Sequence, residues 1–74
     1  MQYDNKVMGE VIRKMRRKKG WSQEVLSGLA GIPRSHLAMI ETGYMSPKVE
    51  TLWKIAEALE IKLSDIVRRV EEET

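Results

Sequence analysis

The sequence predicts an all-α fold, a compact domain of five short helices, on three observations. Apolar residues recur at spacings of three and four, most Gly and Pro residues fall between the segments so defined, and no β-branched run alternates with period two. The first helix runs from about Asp4 or Asn5, either able to cap it, to Lys19. Met8, Ile12 and Met15 form its apolar stripe with Val11 beside it, and Gly20 ends it. Ser22 caps the second helix, but Val25 stands where a full capping box needs Glu or Gln. That helix stops at Gly31, and Pro33 opens a third, from Pro33 to Glu41, closed by Thr42-Gly43. The loop Tyr44-Met45-Ser46-Pro47 leads into a fourth helix ending at Leu59, with Leu52, Ile55, Ala56 and Leu59 as its core stripe. A fifth covers about Leu63 to Glu71, and the acidic tail 71–74 is expected to fray.

The 74 residues carry no linker, repeat or low-complexity stretch other than that tail, so one small domain over 1–74 is expected. The chain has no Cys and one His, which excludes a disulfide framework, a zinc finger and an iron–sulfur site. Glu24, Glu41 and Glu50 do not pair over a pocket at helical spacing and no nucleophile–base set exists, so an enzyme is not expected. Nor is a cofactor, a metal or a small-molecule ligand. The longest apolar run is four residues, Leu37 to Ile40, too short for a membrane span, and the N-terminus lacks a secretory pattern. A cytoplasmic protein with no membrane partner is the expectation. Charge is segregated: residues 1–37 carry +5 and residues 38–74 carry −3. That asymmetry suggests a polyanion partner for one side, although solvated helix faces would have the same composition.

Between Ser22 and Glu41, two short helices flank a turn built on Gly31-Ile32-Pro33, the order of a helix-turn-helix unit. Gly31 supplies a residue that tolerates positive φ, and small Ser27 lets the two helices approach where they cross. The chain from Met8 to about Val67 also resembles the Cro/phage-repressor (Xre-type) helix-turn-helix family, whose fold is lambda-repressor-like. The stretches that carry the likeness are MGEVIRKMR, GWSQEVLSGLAGIPRSHLAMIETG and PKVETLWKIAEALEIKLSDI. The resemblance implies that Gln23, at the start of the second helix beside Ser22, contacts a DNA phosphate. Free N–H groups and the helix dipole make that end an anion site. It also implies that the helix over about 33–42 enters the major groove, that Arg16 and Glu41 form a buried ion pair, and that Gly43, Tyr44, Ser46 and Lys48 grip the second phosphate strand.

Helical geometry sorts the recognition helix independently. With Leu37 and Ile40 facing the core, Ser35, Ala38, Met39 and Thr42 face outward, and Arg34 flanks them with a long reach. Arg34 is the candidate for bidentate bonding to guanine, Ser35 for a base edge or phosphate, and Ala38 and Met39 for thymine methyls. His36 and Thr42 are placed for phosphate; a pH switch is the other reading of His36. The basic run Arg13 to Lys19 reads either as phosphate contacts by Arg17, Lys18 or Lys19 or as diffuse steering.

Trp21 occupies a position that the resemblance assigns to core packing. Trp53 lies off the core stripe of its helix and, with Val67 and Val70, is a candidate homodimer interface; partial burial is the alternative. Several residues depart from the family pattern: Pro33 replaces the Ser cap, Gly28 sits inside a helix, Leu29 takes a commonly polar position, and Glu60 stands where a C-capping Gly is common. Together these readings point to a sequence-specific double-stranded DNA-binding transcriptional regulator acting as a homodimer on a palindromic operator. A protein-interaction module, such as an antitoxin or bridging factor contacting its partner through Gly28-Leu29 and Trp53, is the rival.

Overall fold

The computed structural model describes residues 3–74. Five helices follow in order: α1 (Asn5–Lys18), α2 (Gln23–Ala30), α3 (Arg34–Glu41), α4 (Val49–Ala58) and α5 (Leu63–Glu73). Their principal contacts close a circuit, since α1 packs on α3 and α5, α2 on α3 and α4, and α4 on α5. The apolar stripe of every helix therefore has two neighbours to bury against, and Ile12, Leu26, Leu37, Ile40, Ile55 and Ile66 are completely enclosed.

Local chemistry sets the helix ends. The Asp4 carboxylate accepts from the Lys6 N–H at 2.8 Å and caps α1, while the Ser22 hydroxyl accepts from the Val25 N–H at 3.2 Å and caps α2. Asp65 reaches back to the Lys62 N–H at 3.0 Å at the start of α5. Gly31 holds φ +72° at the turn between α2 and α3, a conformation open to glycine at little strain. Glu60 adopts φ 61° with a full side chain just past the C-cap Leu59 of α4, the one non-glycine residue in that region among those described.

Two boundaries differ from the sequence expectation. Pro33 stands just outside α3 as its N-cap, with extended φ −62° and ψ 144°, so the helix proper begins at Arg34. Its carbonyl still accepts from the His36 and Leu37 N–H groups at 3.0 and 3.2 Å. The fifth helix runs past Glu71: α5 continues through Glu73, whose carboxylate lies 3.2 Å from Arg69 and 3.6 Å from Lys14. A pair one helical turn apart and a cation from α1 offset the repulsion among the three consecutive glutamates.

Gly28 lies on the exposed side of α2, and a Cβ built there meets nothing within 4 Å. Gly28→Ala should therefore raise stability by up to about 1 kcal/mol, the helix-propensity difference, with no steric cost. A thermal melt shifting upward by several degrees is the expected reading.

Candidate nucleic-acid interface

The helix-turn-helix is held by the way α3 is anchored. Leu37 and Ile40 point inward with no exposure, and Glu41 is 1% exposed. With those three positions committed to the interior, the helical step turns Arg34, Ser35, Met39 and Thr42 to solvent. Ala38 is half-buried and leaves the middle of this face shallow. Ser27 is buried where α2 crosses α3; its hydroxyl donates to the Glu24 carbonyl at 3.2 Å and its own carbonyl accepts from the Ile32 N–H at 3.0 Å.

Behind this face sits a charged network. Arg16 from α1 meets Glu41 at the end of α3 through two bonds, Nε to Oε2 at 2.7 Å and Nη2 to Oε1 at 2.8 Å. Arg16 Nη1 donates to the Trp21 carbonyl at 2.8 Å. Hydrogen bonding to Glu41 is the main cause raising the Arg16 pKa above its ordinary value, against the opposing effect of burial. The pair joins three segments, α1, the α1–α2 turn and the end of α3, and so sets α3 relative to its support.

The remaining candidate residues fall into three groups. At the start of α2, Ser22 is exposed and Gln23 is half-buried, turned inward so that its Nε2 donates to Glu41 Oε1 at 3.0 Å. That contact was not legible in the sequence, where the resemblance implies only a phosphate contact for Gln23. Along α3, His36 is half-buried and the Thr42 hydroxyl donates to the Met39 carbonyl at 3.2 Å. In the loop after α3, Tyr44 is 80% exposed, Lys48 is exposed, and the Ser46 hydroxyl lies 3.1 Å from that of Tyr3. Gly43 has φ +82° and packs its Cα side against Lys6 of α1.

Four residues of the basic run are exposed; Arg17 and Lys18 make no ion pair among the described residues, whereas Lys14 pairs with Glu73. Lys19 instead caps the Trp21 ring at 5.3 Å from its centroid and pairs with Glu60 at 3.4 Å. Trp21 itself is half-buried against the core.

Away from this face, Trp53 is 58% and Val67 42% exposed. Val70 corrects the expectation that grouped it with them: it is 6% exposed and belongs to the core. Ile66 and Val70, four residues apart, share the inward stripe of α5, whereas Val67 is turned about 100° away from Ile66. A further backbone feature had no signal in the periodicity. Gly9 lies where α1 crosses the end of α3, and a Cβ there would stand 2.8 Å from the Glu41 carbonyl carbon.

An anchored short helix with an exposed polar and cationic face, held by a preceding helix through a glycine turn, defines a helix-turn-helix nucleic-acid-binding protein. Comparison with known proteins agrees. Residues 12–66 match the family model described as Helix-turn-helix, HTH_3, and the chain belongs to this Xre/Cro-type family of transcriptional regulators, a DNA-binding class. It is 33% identical over 60 residues to the HTH-type transcriptional regulator SutR of Escherichia coli, covering 81% of this chain but only 34% of SutR. The HTH-type regulator y4dJ of Sinorhizobium fredii is 31% identical over 67 residues, covering 90% of this chain and 87% of y4dJ. Among solved structures, the restriction-modification controller protein C.AhdI from Aeromonas hydrophila superposes with a TM-score of 0.82 at 32% identity, over 84% of this chain and 94% of that one.

Proposed function

We propose that this chain is a sequence-specific transcriptional regulator that places α3 in the major groove of duplex DNA and binds a palindromic operator as a homodimer. The observation that carries the reading is the division of α3. Leu37 and Ile40 are wholly enclosed, while Arg34, Ser35 and Met39 stand free on the opposite side. Arg34 reads a guanine through its O6 and N7, Ser35 a base edge, and Ala38 and Met39 thymine methyls. Phosphates on one strand are met by Ser22, Gln23 and His36, and on the other by Thr42, Gly43, Tyr44, Ser46 and Lys48. Thr42 must rotate its hydroxyl away from Met39 to donate.

The dimer follows from energetics. One such helix reads only about four base pairs, and two half-sites about 34 Å apart add their binding free energies once the protomers are joined. Trp53 and Val67 supply the apolar surface for that contact, with Leu63 and Ser64 lining the grooves beside both. A second reading, favoured by Val25 and Leu29, 44% and 59% exposed on α2, is a protein-interaction module whose main partner is another protein docking there.

Selection of bound sites from a random duplex pool, followed by fluorescence anisotropy on the selected site, tests the proposal. A two-fold symmetric consensus is the expected result. Arg34→Ala should lose about 1–3 kcal/mol of discrimination at one base position per half-site while binding to random duplex changes little. Equal weakening on all sequences would assign Arg34 to phosphate, and absent or salt-insensitive binding would favour the protein-partner reading.

A further inference from the structure

Two arginines converge on Glu41, and one suffices to neutralise it. Arg16 occupies both carboxylate oxygens at 2.7 and 2.8 Å, and Gln23 adds a third donor on Oε1 at 3.0 Å. Arg13, one turn earlier on α1, approaches the same group from the solvent side. Its Nη2 donates to the Glu41 main-chain carbonyl at 3.3 Å, and its Nε stands 3.9 Å from Oε1, beyond hydrogen-bond range. The carboxylate's hydrogen bonding is thus satisfied without Arg13, and two guanidinium groups facing one carboxylate leave the cluster with a net positive charge. No other carboxylate among the described residues lies within ion-pairing distance of Arg13, and its side chain is 35% exposed. The remaining N–H groups of the fork have no acceptor among those residues.

We propose that Arg13 is a phosphate-binding residue, its guanidinium held by the Glu41 main-chain carbonyl and its free donors taking a DNA backbone phosphate alongside Gln23. The juxtaposition is direct, because Arg13 Nε and Gln23 Nε2 share one carboxylate oxygen as neighbour. A planar fork can donate to a carbonyl on one edge and a phosphate on another, which an ammonium does with less geometric definition. Arg16, by contrast, is consumed by Glu41 and Trp21. This inference deepens the DNA-binding reading above and rests on it.

Anisotropy of the full chain with the selected duplex and with random duplex, from 50 to 200 mM salt, tests it in the parent, Arg13→Gln and Arg13→Lys. Arg13→Gln keeps a donor for the carbonyl and removes the charge. It should weaken both duplexes alike and reduce the slope of log K on log salt by about 0.9, so that across this range it loses about 3.5-fold less affinity than the parent. Arg13→Lys should retain the parental slope. Arg13→Ala, also neutral, gives the same comparison should the glutamine variant fail to fold. A parental slope in the folded neutral variant overturns the assignment and leaves Arg13 as an anchor for α3. A parent with no salt-dependent binding to either duplex overturns the DNA-binding reading itself, so the two failures are distinguishable.

Discussion

Glu41→Ala should destabilise the fold by about 3–5 kcal/mol, because it leaves the Arg16 guanidinium buried without a counter-charge. For 74 residues the total stability is on the order of 4–11 kcal/mol, so this one change removes much of it. A melting temperature at least about 12 °C below that of the parent is the expected measurement. Arg16 is 8% exposed, and once the carboxylate is removed its remaining acceptor is the Trp21 carbonyl. Replacing both partners with apolar residues of similar volume should cost far less than removing either, and a double-mutant cycle measures that difference. A melt of Glu41→Ala within a degree or two of the parent would show that the pair contributes little. The contribution is insensitive to pH through the neutral range. The Arg16 pKa is raised in the folded state, so its stabilisation is complete below the unfolded-state value and is lost only as pH rises through the folded one, both strongly alkaline.

Gly9→Ala should cost about 2–3 kcal/mol, reversing the usual ranking in which alanine is the better helix former. The added methyl would press on the Ile40 carbonyl oxygen and stand 2.5 Å from that of Glu41, and both are backbone atoms that no rotamer change can move aside. The only relief is separation of α1 from the end of α3. That separation also pulls on the Arg16–Glu41 pair and tilts the recognition helix. Affinity for the selected duplex should therefore fall together with melting temperature. Gly28→Ala, the same substitution on the open side of α2, should change stability in the opposite direction and leave DNA affinity alone. Measuring the two side by side separates propensity from packing. Equal effects of one sign would mean that the close approach of α1 and α3 is absent in solution.

The five helices were legible because their apolar residues repeat at helical spacing and their ends carry local signals. Ser22, Gly31 and Asp4 each act within four residues of where they stand, and a local signal needs no knowledge of the rest of the chain. The same logic sorted α3, since a helix that must bury Leu37 and Ile40 has only one face left for Arg34, Ser35 and Met39. Where the outcome hinged on a neighbour distant in sequence, the local pattern fell short. Val67 and Val70 look alike as residues, and only the packing of α5 on α1 and α4 separates a solvent-facing valine from a core one. The tail after residue 70 lacked a local stop signal, and Lys14 of α1 supplies one of the charges that let α5 continue.

What the sequence by itself determined is the all-helical class, the order of the elements, the turn at Gly31 and the outward face of the third helix. All of these follow from periodicity and from short-range hydrogen bonding. Only the tertiary structure decided that Gly9 is a point of backbone contact, that Gln23 turns in to Glu41, and that Arg13 and Arg16 share the single carboxylate of Glu41. Each of those depends on atoms brought together across 18 or more residues of chain, and the Gln23–Glu41 contact is the shortest of these separations. Such distances are set by how helices cross, which no spacing along the chain encodes.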